Sequence, residues 1–314
     1  MSVRYRGAGV TVDADAFEPM RIAPVRHTLM GHPLLELPRL VELGRRLGAT
    51  GSVRYHDDKA QAGTDFVKAA DLHRVERPAE EVIADIENAG AWMALHHVQQ
   101  DPEYRGLVDE VLDCVRPIVE RKDGRMHHLG GWIFITSPGA VTPYHMDHEH
   151  NFILQVRGRK RIHVFDPLDR SIVSEEALEA FHHWGSRERM GWTEAIQAKA
   201  HIFDAEPGMG AYMPVTSPHW VENGPEVSIT ISCTYYSPET RRRKRLHQAN
   251  AALRARGITP SPVGAHPTRD RLKDAAYHAF QEARARLKQA RGQVVHSLDI
   301  PYAVPHTEIY RGTA

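Results

Sequence analysis

From about residue 130 onward the chain alternates short apolar runs with Gly, Pro and Asn. The runs cover 131–137, 152–156, 161–165, 200–204, 210–214 and 227–236. Runs of that length, broken by turn formers, predict an antiparallel β-domain. Upstream the period is helical. Leu107, Val108, Val111, Leu112, Val115 and Val119 recur at helical spacing after Asp101-Pro102, so a long amphipathic helix starts there with Asp101 as its cap. Shorter helices are predicted over 39–47 and 78–88, and a strand over 91–95. The stretch around His56, RYHDDKAQAG, contains no apolar run and reads as loop. One helical insertion, SEEALEAFHHW at 174–184, interrupts the β pattern. Past Ser237 the β signal stops, and two helices are predicted over 239–256 and 268–291, split by the breaker GITPSP.

Composition adds limits. The chain has 314 residues, enough for one good-sized core with a smaller appended unit. No apolar run approaches the ~20 residues of a membrane helix. The start, MSVRYRGAGVTVDADAF, lacks the apolar core of a signal peptide. The two cysteines, Cys114 and Cys233, read as free thiols of a reducing cytoplasm, and the absence of a CxxC pair excludes a cysteine-built zinc site. Formal charge is zero overall but unevenly placed. Residues 241–291 hold fourteen Arg/Lys against three Asp/Glu, so a basic C-terminal segment follows an acidic body. Such a run is usually a solvated face. Without interleaved aromatics it gives no support to base stacking, which makes nucleic acid an unlikely partner.

The chemistry concentrates in one place. His145-Met146-Asp147 is followed by His219. Two imidazoles and one carboxylate hold a metal on one face and leave the other open, which suits non-haem Fe(II) that must also bind a cosubstrate and O2. On an extended segment, side chains i and i+2 point the same way, so His145 and Asp147 can reach one ion together. In a chain with 21 histidines such a triplet is weak by itself: His56-Asp57-Asp58 and His306-Thr307-Glu308 are similar. Only His145 lies between strand-like runs, the kind of scaffold a metal site needs. Downstream, 152–156 and 161–165 are expected to form a hairpin about Arg157-Gly158-Arg159, with Lys160 opening the second strand. An inward Lys160 offers an ammonium to an anion bound at the metal. Thr142 can add a hydroxyl, and Asn151 shares strand parity with His145 and Asp147. Tyr144 and Trp220, beside ligands, are candidates for the substrate mouth. Trp132 is expected in the core.

The stretch TSPGAVTPYHMDHEHNFILQVRGRKRIHVFDP, with EPGMGAYMPVTSPHWVENG downstream, resembles the JmjC/cupin-like family of Fe(II)- and 2-oxoglutarate-dependent oxygenases. It is most similar to the asparaginyl hydroxylase branch that includes factor-inhibiting HIF. The resemblance spans roughly 130–237. It implies a mainly β fold, a double-stranded β-helix or jelly roll with flanking helices. On this reading 1–129 is an N-terminal mixed α/β segment packing on the barrel, 130–237 the catalytic core, and 238–314 a basic helical segment. It further implies His145, Asp147 and His219 as metal ligands and catalytic centre. Lys160 and Thr142 would contact 2-oxoglutarate, and a homodimer could form through the C-terminal helices. The implied reaction hydroxylates or N-demethylates a small molecule, amino acid, peptide or protein side chain. Two positions depart from the family: Gly208-Met209-Gly210 replaces a Gly-Asp, and Thr234 stands where some relatives place a cosubstrate-binding Asn. The alternatives are a cupin metalloenzyme that does not use 2-oxoglutarate, and a non-catalytic cupin-like binding module.

Overall fold

The structure, a computed structural model, describes residues 9–292. Its strands are β1 (Val10–Thr11), β2 (Ala23–His27), β3 (Val53–Asp57), β4 (Ala91–Leu95), β5 (His127–Thr136), β6 (Val141–His145), β7 (His150–Arg157), β8 (Lys160–Val164), β9 (His201–Ala205), β10 (Met209–Met213), β11 (His219–Asn223) and β12 (Ser228–Tyr236). Its helices are α1 (Leu37–Gly48), α2 (Ala69–Leu72), α3 (Ala79–Ala84), α4 (Pro102–Asp123), α5 (Glu175–Trp184), α6 (Glu194–Gln197), α7 (Pro238–Arg254) and α8 (Pro267–Ala290).

The described residues divide into two compact units, one of residues 9–172 with 191–236, the other of 173–190 with 237–292. All strands belong to the first. They form an eight-stranded sheet, β1-β2-β10-β7-β12-β5-β4-β3, and a four-stranded sheet, β6-β11-β8-β9. Every pairing is antiparallel. Between β5 and β12 the chain passes back and forth between the sheets, which makes the expected jelly roll. Strands from the first 129 residues lengthen the large sheet at both ends: β2 pairs β10, and β4 pairs β5.

The anticipated helices form where apolar stripes needed cover. Leu107, Val108, Val111, Leu112, Val115 and Val119 of α4 are all buried, and they share a core with Leu40 and Leu43 of α1 and Met93, Ile133 and Ile135 of the large sheet. Asp101 caps α4 by accepting the Glu103 N–H.

Two expectations fail. The segment around His56 is only partly loop: 58–63 stay turn and irregular, but 54–57 belong to β3, paired along its length with β4, and His56 is buried. Its alternating exposure, with polar side chains facing inward, hides the strand from an apolar-run criterion. Nor do 152–156 and 161–165 make a hairpin. β7 pairs β10 and β12, whereas β8 pairs β11 and β9, so the Gly158 turn crosses from one sheet to the other. Gly158 has φ +70°, and a Cβ there would collide with the Val227 carbonyl, so only glycine fits.

The second unit is helical. Arg254 of α7 pairs with Glu176 and Glu179 of α5, and Arg245 with Asp274 of α8. The 174–184 insertion thus supplies acids that answer part of the basic run.

Candidate metal centre

β6 and β11 lie side by side, with His145 opposite His219. Their register then slips, because Val221 faces Thr142. The extra residue is a bulge in β6, and it brings Thr142 and His145, three apart, to the same face. Asp147 lies beyond the strand end. Its carbonyl accepts the Thr216 N–H at 3.0 Å. Thr216 has φ +60°, a strained backbone for a β-branched residue. The strain sits in the loop that anchors the acid.

The three side chains converge. Asp147 Oδ1 is 3.8 Å from His145 Nε2, and its Oδ2 is 3.7 Å from His219 Nε2. One ligand atom from each residue lies within 4.8 Å of the others. Among the described residues this is the only such cluster. His145 Nδ1 is 2.7 Å from the Pro143 carbonyl, and His219 Nδ1 is 3.0 Å from that of Ser217. A carbonyl only accepts, so each Nδ1 keeps the proton and each Nε2 lone pair faces the shared space. Phe66 stacks on the His145 ring at 3.7 Å, which fixes its plane. The similar triplet at His56 offers no such cluster, and His306-Thr307-Glu308 lies outside the described residues.

The triad opens into a cavity with about 540 Å³ of empty space including its mouth. Lys160, the first residue of β8, lines it and is 6% exposed. Burial pushes its ammonium down to about 7. It makes no hydrogen bond or ion pair among the described residues. The neighbouring arginines turn elsewhere: Arg159 pairs with Glu206, and Arg161 with Asp204 and Glu222. Thr142 lines the same cavity, and its Oγ1 accepts the Trp92 indole N–H at 2.7 Å. Asn151 also lines it, although not by continuing the parity of His145: it sits on β7, in the opposite sheet. Its Oδ1 and Ser232 Oγ are buried without partners among the described residues. Thr234 lines the cavity too.

Tyr144 and Trp220 are not brought to the cavity. Each points to the face opposite its ligand neighbour. Tyr144 packs edge-on against Phe165, and Trp220 stacks on His163 at 3.9 Å while donating to Gln197. The wall is built instead by Phe66, Trp132 and Phe134, with Glu149 beside them accepting from Tyr236 Oη at 2.9 Å. Trp132 is half-buried in this wall, not in the core. For Phe66 the available signal was an aromatic stranded in a polar stretch, GTDFVKAA.

A jelly roll whose inner face gathers two imidazoles and a carboxylate around an open cavity defines a cupin with a metal site. The family model of the cupin-like domain matches residues 43–260, more than two thirds of the chain. The chain belongs to that family. The match is to the domain as a whole and singles out no asparaginyl hydroxylase branch. Comparison with the curated proteins gives no match. Among solved structures, the chain is similar to Escherichia coli ribosomal oxygenase YcfD, with 14% identity, 87% of this chain and 68% of that one covered, and a TM-score of 0.47. The YcfD complex with cobalt and 2-oxoglutarate has 16% identity, coverage of 85% and 64%, and a TM-score of 0.41. Among the described residues no helix is long and apolar enough to cross a membrane. Cys114 is exposed and Cys233 buried, and neither forms a disulfide among the described residues.

Proposed function

We propose that the protein is an Fe(II)- and 2-oxoglutarate-dependent oxygenase that hydroxylates or N-demethylates a small-molecule, amino-acid, peptide or protein substrate. One observation carries the reading: the open triad shares its cavity with Lys160, a buried ammonium without a counter-charge. Burying a charge is costly unless a partner neutralises it. A cupin acting without a dicarboxylate has no use for that lysine; a chelating keto-diacid does, at its far carboxylate.

The residues fit the group. Two imidazole nitrogens and one carboxylate suit ferrous iron with open positions. Bound there, Fe(II) and 2-oxoglutarate supply the oxidising power to place an oxygen atom from O2 on a C–H bond. The chain's own part is holding and excluding. His145 and His219 present fixed Nε2 lone pairs, with their tautomers set by backbone carbonyls. Lys160 would pair with the far carboxylate, and Thr142 would donate to it. Asn151 and Ser232 offer further polar contacts. Phe66, Trp132 and Phe134 make an apolar wall that keeps water from the reacting centre.

With Fe(II) and O2, the protein should turn 2-oxoglutarate into succinate, slowly in the absence of substrate. Asp147→Ala and His219→Ala should lose Fe(II) in equilibrium dialysis and lose succinate formation with it. A wild-type protein that holds Fe(II) yet neither binds nor consumes 2-oxoglutarate would end this reading.

A further inference from the structure

We infer that Trp92 is a positioning residue: its indole N–H commits the Thr142 hydroxyl to donate into the cavity. The inference rests on the functional reading above. An indole nitrogen can only donate. Trp92 Nε1 lies 2.7 Å from Thr142 Oγ1, so the oxygen is the acceptor. A hydroxyl that accepts in this way still has one proton to give. Thr142 uses it on nothing else among the described residues, and its 8% exposed surface lies in the cavity. The proton is therefore turned toward the space that Lys160 also faces. A freely rotating hydroxyl would also present lone pairs, which repel a carboxylate.

The indole is itself held in place. Trp92 is 2% exposed and lies on β4, opposite His56 of β3 and Thr136 of β5. Its ring stacks on His56 at 4.7 Å, nearly parallel, and meets Phe134 at a tilt. Burial keeps His56 neutral at ordinary pH, so the stack is packing and adds no charge beneath the indole. Two successive contacts thus run from β3 through β4 to β6: a ring that fixes a ring, and an N–H that fixes a hydroxyl.

The test is a double-substitution cycle on Mn(II)-loaded protein without oxygen, with 2-oxoglutarate and Mn(II) affinities measured separately by calorimetric titration. Trp92→Phe keeps the ring packing and removes the N–H. It should weaken 2-oxoglutarate about fivefold and leave Mn(II) binding unchanged. Thr142→Val should cost a similar or larger factor, and the double variant no more than Thr142→Val alone, because the indole acts only through the hydroxyl. Thr142→Ser should recover the affinity. Losses that multiply in the double variant, or a Mn(II) loss matching that for 2-oxoglutarate, would overturn the inference. Should Trp92→Phe not fold, Thr142→Val with Trp92 intact must shift the Trp92 indole 1H–15N resonance, and an unmoved resonance overturns it as well. Wild type that takes Mn(II) but no 2-oxoglutarate overturns the functional reading together with this inference; wild type and Trp92→Phe binding it equally overturns the inference alone.

Discussion

A lysine taken out of water without a partner destabilises the state that contains it. Lys160 is such a group, brought down from 10.5 to about 7 by burial. Between those two values the unfolded chain binds more protons than the fold, so stability rises with pH across that window; below about 7 the full cost is present. Lys160→Met should therefore raise the melting temperature of ligand-free protein near neutral pH, by roughly 5 °C, and flatten the rise toward alkaline pH. Differential scanning calorimetry reads both. The same substitution should abolish 2-oxoglutarate binding and spare the metal. A bound carboxylate favours the ammonium, so above about pH 7 binding should take up a proton and weaken as pH climbs. Titration in two buffers of different ionisation enthalpy measures that uptake, and finding none at roughly pH 8 would separate Lys160 from the ligand. At this scale the sequence was informative wherever chemistry restricts the residue type. Metal ligation selects His and Asp, and an anion selects Lys. Trp92 and Phe66 carry no such restriction: strand pairing brings Trp92 to Thr142, and Phe66 enters the cavity from a loop far from it in the chain.

The elements were legible unevenly, for a physical reason. Apolar runs mark strands whose side chains enter a dry core, and β5, β7, β8, β9, β10 and β12 all announced themselves in this way. β6 and β11, VTPYH and HWVEN, did not, because their inward positions hold the polar groups of the site. β3 was missed on the same grounds, with Arg54 and His56 on its buried face. The connection between β7 and β8 was misjudged because a short Gly turn suits both a hairpin and a crossing between sheets. Its role is testable. Gly158→Ala demands a left-handed alanine whose Cβ meets the Val227 carbonyl. The expected loss is roughly 2–4 kcal/mol in guanidinium unfolding. A loss within experimental error would mean that the turn is free to re-form and does not set how the two sheets join.

Across the whole molecule, the charge asymmetry sets residues 241–291 apart as a basic segment. Within the helical unit, however, Arg245 and Arg254 already meet acids, and Arg242 pairs with Glu239. Among its exposed charges α8 also leaves an apolar stripe uncovered. Leu272, Phe280 and Leu287 are 70%, 55% and 56% exposed, with Ala276 and Ala283 between them at helical spacing. Of its 24 residues only Asp270 and Gln281 are buried. A stripe of that kind along a helix ~36 Å long can pair with itself about a two-fold axis, and we predict that a second copy of this chain covers it. The expected state is a homodimer. Light scattering coupled to gel filtration should give twice the chain mass, and Phe280→Glu with Leu287→Glu should give the monomer mass. The metal cluster and its cavity belong to the other unit and draw no residue from α8, so the double variant should bind Fe(II) and 2-oxoglutarate as wild type does. A wild type that stays monomeric at high micromolar concentration would refute the dimer and leave the proposed chemistry untouched.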